Sequence, residues 1–284
     1  AADPLAGWLL VGGSLGNARG WLPLVGAGVS IYAAGMILND VFDLEIDRVE
    51  RPGRPLPSGR VSRRLAATFG AGLLVLGPAL AALAGMTSLM VALVLAACVL
   101  GYDGGLKRTL MGPQVMGSCR SLNLLLGMSL AHALGGPPGW LAAFAFGLFV
   151  TGVTWISRDE AAAEGGKARG VFVGLWIEWV ASLTLPVAAW WMGTRAEQGD
   201  VHLSGVLIGV GVLVAVLYFV EKAGFRALRE PTPGRLQAAV KTGVLSLVWL
   251  DVALVAMVRG PAPALAVAAL WVPAFLLGKW LYST

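Results

Sequence analysis

The chain has 284 residues, enough for one or two soluble domains, yet 57% of them are hydrophobic, 13% are charged and the mean hydropathy is +0.76. That balance excludes an ordinary soluble enzyme and points to a protein whose solvent is lipid. A net charge of +5 and a pI near 9.6 would suit a nucleic-acid binder, but Lys and Arg lie between apolar stretches rather than on one soluble face, so membrane topology accounts for them and nucleic acid is excluded as a partner.

A bilayer core takes roughly 20 apolar residues per helix. Apolar stretches near 4–16, 20–38, 65–84, 87–102, 114–134, 139–157, 172–193, 202–220, 239–258 and 263–281 predict ten spans in an all-α integral membrane protein. The first is too short to cross alone, and the chain opens at Ala1 without Met, so a preceding segment that completes this helix is expected. No basic region and cleavage site mark it as a secretory signal. The connections alternate in charge. One set holds Arg48, Arg51, Arg54, Arg60, Arg63, Arg64, Lys107, Arg108, Arg158, Lys167, Arg169, Lys222, Arg226, Arg229, Arg235 and Lys241, and the opposite set holds Arg19, Arg195 and Arg259. Because Lys and Arg accumulate on the cytoplasmic side, the first set is expected there, forming cap loops near 39–64, 103–113 and 158–171. Trp140, Trp190, Trp191, Trp271 and Trp280 near span ends read as interfacial anchors, and 39 glycines suit close helix packing in a membrane.

The two cysteines, Cys98 and Cys119, fall inside spans and predict no disulfide. With only His132 and His202, both expected toward the outer side, a His-rich metal site is excluded, and any metal here is hard and oxygen-ligated.

The segment richest in chemistry closes the second span: Asn39-Asp40-Val41-Phe42-Asp43-Leu44-Glu45-Ile46-Asp47-Arg48. Asn39, Asp43 and Asp47 are four apart and line one face of a helix. Like charges at that spacing repel, so the arrangement makes sense around a cation with its phosphates, and Mg²⁺ suits the oxygen donors. The following Arg51-Pro52-Gly53-Arg54-Pro55-Leu56-Pro57-Ser58-Gly59-Arg60 sets arginines on a stiffened loop, so that a basic segment follows the acidic one, as diphosphate binding requires. A solvated acidic helix end is the plainer alternative.

The run from Asn39 to Ser62, NDVFDLEIDRVERPGRPLPSGRVS, resembles the first signature of the UbiA superfamily of intramembrane prenyltransferases, and the order of spans extends the resemblance over most of the chain. The resemblance implies a bundle of about nine to ten transmembrane helices around a cavity open to the cytoplasmic face and laterally to lipid. It further implies Mg²⁺, an isoprenoid diphosphate donor and a lipophilic acceptor among membrane lipids. The family's second acidic motif, normally DxxxD, corresponds to Ser157-Arg158-Asp159-Glu160-Ala161-Ala162-Ala163-Glu164-Gly165-Gly166-Lys167. Here the spacing departs: either Glu160 and Glu164 replace the usual aspartates or Asp159 acts alone. The metal set implied is therefore Asn39, Asp43, Asp47, Asp159, Glu160 and Glu164, with Asp40, Asp43, Asp47 and Asp159 as catalytic carboxylates and Asp40 set to orient the acceptor or take its proton.

Tyr102-Asp103-Gly104-Gly105-Leu106-Lys107-Arg108 resembles the family's YxxxK element with one residue more, and its Lys107 and Arg108 serve as diphosphate ligands or as a topology anchor. Arg48, Arg54, Arg158 and Lys167 complete the basic set expected around the donor. Within spans, Arg120 and Asn123 share a helix face and are expected to meet substrate, as is Glu178 to face the cavity, whereas Asp251 is read as a helix-packing residue. A non-catalytic lipid-binding protein of the same fold, or a transporter, are the rival readings. The second motif looks most like a UbiA-like branch found in bacterial Ebo-type gene clusters, which with an Arg-rich composition points to a bacterial plasma membrane.

Overall fold

Chain that crosses lipid must satisfy its own backbone groups, which only helices or closed barrels achieve. The computed structural model describes residues 2–161, 168–195 and 203–272 and builds them from helices, with no strand among the described residues. In chain order they are α1 (Ala2–Leu10), α2 (Ala18–Phe42), α3 (Leu44–Glu50), α4 (Arg63–Ala84), α5 (Met86–Asp103), α6 (Gly112–Met128), α7 (Gly136–Ala161), α8 (Ala168–Gly193), α9 (Leu203–Arg229), α10 (Pro233–Arg259) and α11 (Pro261–Ala269). Seven of them, α2, α4, α5, α7, α8, α9 and α10, are long and apolar enough to cross a membrane, which makes this a multi-pass membrane protein.

Each of the ten expected spans overlaps a helix, and among the described residues seven of these helices are long enough to cross: α1 and α11 have nine described residues each and α6 has 17. Of the stretch expected as a span at 114–134, the helix runs only to Met128. After Met128 the chain turns through Ala133 and Leu134, whose φ of 49° and 58° are left-handed and strained for residues bearing a Cβ. A turn made of apolar residues is invisible to hydropathy. Of the last expected span, residues from 273 onward, with Lys279 and Trp280, lie outside the described residues, as do Glu164, Lys167 and His202. Tight joints elsewhere rest on glycine: Gly85, at φ 150°, is the single residue between α4 and α5, and Gly260, at φ 86°, plays the same part between α10 and α11.

α7 and α10 form the centre, with 67% and 61% of their most apolar stretches buried against 28% for α4 and α9. Short α1 is buried along its whole length against α6, α10 and α2. Without a hydrophobic driving force between helices in lipid, close contact needs small residues. Gly7 of α1 meets Gly127 of α6, Gly117 of α6 meets Gly147 of α7, and Gly152 of α7 meets Gly174 of α8, each so close that an added Cβ would strike the facing backbone. Gly127→Ala, whose Cβ would run into the Pro4 carbonyl, should therefore lower the unfolding free energy by about 1–3 kcal/mol, read as a lower thermal midpoint, whereas Gly72→Ala, with nothing within 4 Å, should not.

Candidate active site

The acidic segment is built by one helix flowing into another. α2 stops at Phe42 and α3 begins at Leu44, but the ladder continues through Asp43: its N–H donates to the Asn39 carbonyl at 2.9 Å, the Asp47 N–H to the Asp43 carbonyl at 2.8 Å, and the Arg51 N–H to the Asp47 carbonyl at 2.9 Å. Asn39, Asp43 and Asp47 thus lie one turn above another, as their spacing predicted.

The Pro/Gly loop then folds back over them. Arg60 braces it, donating to the Gly53 carbonyl at 2.6 Å and to Ser58 Oγ at 3.1 Å, while Ser62 caps α4 by accepting the Leu65 N–H. So held, Arg54 reaches both Asp47 at 2.8 Å and Asp40 at 3.3 Å. From the opposite side comes the end of α5. Gly105, at φ 145°, turns the chain into a 3₁₀ turn over Leu106–Arg108, and Lys107 Nζ meets Asp43 at 2.6 Å with Arg108 at 3.6 Å. The extra residue between Tyr102 and Lys107 is absorbed by this turn. Asp103, one residue after the half-buried Tyr102, is buried and accepts a hydrogen bond from Asn39 Nδ2 at 2.9 Å. Sequence reasoning missed Asp103, although an acidic residue at the end of a span next to the basic pair was the available signal. Arg158, at the end of α7, donates to the Thr109 carbonyl at 2.7 Å and lies over the Trp155 ring at 5.3 Å, so it braces the same basic turn.

Other expected residues go elsewhere. Arg48 points away from the cluster and pairs with Glu45 at 2.8 Å on an exposed surface. Arg120 is committed inside the bundle: it pairs with buried Asp3 of α1 at 2.9 Å, its guanidinium lies 5.4 Å from the Tyr32 ring centre, and Asp251 of α10 closes the group from a fully buried position. Tyr32 is seven residues before Asn39, so this cluster sits roughly 10 Å deeper along α2. Its physical logic is charge balance away from water, where an Arg persists only beside acids. Asn123, expected on the same substrate-facing side, is buried against Gly28 and Pro4. Asp251, read from the sequence as a packing residue, is fully buried within that charged group.

Among the described residues no three His, Cys, Asp or Glu side chains converge tightly enough to hold a metal ion as arranged. The donors at the acidic face, Asn39, Asp40, Asp43, Asp47 and Asp103, are nevertheless all hard oxygen groups, the kind Mg²⁺ selects, and each of the three stacked side chains has a partner, Arg54, Lys107 or Asp103, that already orients it. The site fits such an ion by donor chemistry.

The UbiA prenyltransferase family model matches residues 4–232, most of the chain. The chain belongs to the UbiA prenyltransferase family. It is similar to the digeranylgeranylglyceryl phosphate synthases of Metallosphaera sedula (37% identical over 130 residues, 45% of this chain and 44% of the relative), Methanopyrus kandleri (33% over 176, 60% and 62%) and Methanoculleus marisnigri (28% over 263, 85% and 86%). In the first two, less than two thirds of the relative's own length is matched. A solved digeranylgeranylglyceryl phosphate synthase shares its fold at a TM-score of 0.62 with 22% identity, covering 90% of this chain and 91% of that one. A ligand-free UbiA homologue from Aeropyrum pernix K1 does so at 0.62 with 20% identity, covering 86% and 93%. Of the second acidic motif of this UbiA chain, Asp159 and Glu160 fall in the last turn of α7, but their side chains, like all of Glu164 and Lys167, lie outside the described residues.

Proposed function

We propose that the chain transfers a prenyl group from an Mg²⁺-bound isoprenoid diphosphate to a lipophilic acceptor at the cytoplasmic side of the membrane, using residues 1–284 as a single catalytic domain. The observation that carries this reading is the stack Asn39, Asp43, Asp47 met from two sides by Arg54 and by Lys107 with Arg108. Asn39, Asp43 and Asp47 would hold the metal, with Asp159, Glu160 and Glu164 as the second acidic group. Bound Mg²⁺ supplies charge neutralisation of the departing diphosphate.

The chain's own residues do the rest. Arg54, Lys107 and Arg108 keep the carboxylates oriented in the free enzyme and turn to the diphosphate oxygens when the donor arrives, stabilising charge that develops on the leaving group. Because Asn39 gives its side-chain Nδ2–H to Asp103, its Oδ1 is left for the metal. Asp40, on the rim and half-exposed, orients the acceptor or takes its proton. Apolar helix faces below the motif exclude water from the reactive prenyl group.

Since the relatives are named for a glyceryl phosphate carrying two geranylgeranyl chains, geranylgeranyl diphosphate and a prenylated glyceryl phosphate are the pair to test first, beside aromatic acceptors. Those relatives are archaeal, so the bacterial plasma membrane implied by the resemblance to a bacterial branch is a separate proposal, tested by host. The deciding assay is release of pyrophosphate by purified protein with each donor and acceptor pool, with Mg²⁺ or with EDTA. Mg²⁺-dependent release tied to a new prenylated product supports the reading; donor binding without turnover in every pool replaces it with a lipid-binding role. Asp103→Asn should lower turnover about tenfold with little change in donor KM, because it disturbs Asn39 rather than the basic groups.

A further inference from the structure

Four buried oxygen atoms without hydrogen-bond partners gather in the half of the bundle away from the acidic motif: Glu178 Oε2 and Ser182 Oγ on α8, and both carboxylate oxygens of Glu221 on α9. The residues are 1%, 2% and 8% exposed. Their juxtaposition follows from the helix register. α8 and α9 are antiparallel neighbours, and a Cβ on Gly224 would strike the Leu175 side chain, so Leu175 and Gly224 are level. Three residues onward on α8 and three back on α9 bring Glu178 opposite Glu221, and Ser182 follows Glu178 one turn along the same face. α7 closes the third side: a Cβ on Gly152 would lie 2.6 Å from Glu178 Cγ.

Among the described residues no Lys or Arg donates a hydrogen bond to these four oxygens. Besides the two glutamates, the described charged side chains on the surrounding helices are Arg158 on α7, Arg169 on α8, Lys222, Arg226 and Arg229 on α9, and Arg235, Lys241, Asp251 and Arg259 on α10. Lys222 is turned onto Tyr218, bonding its hydroxyl at 3.2 Å and lying 5.1 Å from its ring centre. Arg158 is held by the Thr109 carbonyl, Arg235 by Glu230, and Asp251 belongs to the Arg120 group. The Trp179 indole lies beside Glu221 outside hydrogen-bonding geometry. Two facing carboxyls in a membrane interior are costly until a positive charge joins them.

We propose that Glu178, Glu221 and Ser182 form an intramembrane site for a small monovalent cation, a proton or Na⁺, that ties α8 to α9. Four free oxygens are too few for Ca²⁺, which takes six to eight, and the tight glycine-lined packing favours a small occupant. The site lies about 12 Å from the end of α9 at Arg229, within reach of that face, and is separate from the prenyl-transfer residues.

The test is the thermal midpoint of purified protein in EDTA without donor, in two arms: Na⁺ exchanged for N-methylglucamine at constant ionic strength and pH, and pH varied without Na⁺. A bound cation raises the midpoint with the logarithm of its concentration. Wild type should respond in at least one arm, the first identifying Na⁺ and the second alone identifying the proton. Glu178→Gln/Glu221→Gln should lose that response and sit at or above cation-saturated wild type. Ser182→Ala, a milder change, should shift the response to higher cation concentration. The proposal is overturned if wild type is flat in both arms, or if the double variant and Ser182→Ala keep the wild-type response. Should the double variant not fold, an unaltered wild-type response in both arms in the single variants Glu178→Gln and Glu221→Gln overturns it equally.

Discussion

Asp43→Ala and Asp47→Ala should each lower kcat/KM for prenyl transfer by at least about a hundredfold, the scale on which loss of a preorganised electrostatic group acts, while Arg48→Ala stays within about threefold. The contrast comes from position. Asp43 and Asp47 share one ladder and face Lys107 and Arg54 at 2.6 and 2.8 Å, whereas Arg48, adjacent in sequence, is turned to the exposed Glu45. Steady-state turnover with geranylgeranyl diphosphate at saturating Mg²⁺ reads all three. If Arg48→Ala fell as far as the aspartate variants, the basic side of the site would extend past α3 and the Arg54 loop would lose its special place. Removing either aspartate also strands a cation, so donor binding by the variants at low Mg²⁺ should weaken less than turnover does.

The second large effect concerns stability. Arg120→Met and Asp3→Asn should each cost about 3–5 kcal/mol, because breaking a buried pair leaves an uncompensated charge. Asp251 makes the case distinctive. Replacing Arg120 and Asp3 together by apolar residues would strand Asp251, which is fully buried with neither oxygen hydrogen-bonded. Recovery is therefore expected only in the triple Asp3→Leu/Arg120→Met/Asp251→Leu, since well-packed apolar replacement of a whole buried ionic group is often neutral or stabilising. Thermal midpoints of the singles, the Asp3/Arg120 double and the triple give the answer. An Arg120→Met protein with a wild-type midpoint and a raised acceptor KM would instead return Arg120 to the substrate.

The sequence alone determined that this is a helical membrane protein, that its acidic and basic motifs lie at span ends, and that Asn39, Asp43 and Asp47 stack with Arg54 and Lys107 near them. Those features are local or periodic: hydropathy needs only a window of residues, and a spacing of four fixes a helix face whatever the helix packs against. The YxxxK-like element was legible although its extra residue was not explained until Gly105 turned the chain. What the tertiary structure decided are pairings across long separations. Asp103 meets Asn39, Arg120 is taken by Asp3 rather than left to a substrate, and Glu178 faces Glu221. Each side chain looked equally available along the chain, and which neighbour it met depended on helix register and on glycines that set how closely two helices approach. Helix length belongs with these: α1 and α6 are cut short by turns of apolar residues and glycine, where backbone conformation rather than hydrophobicity sets the end.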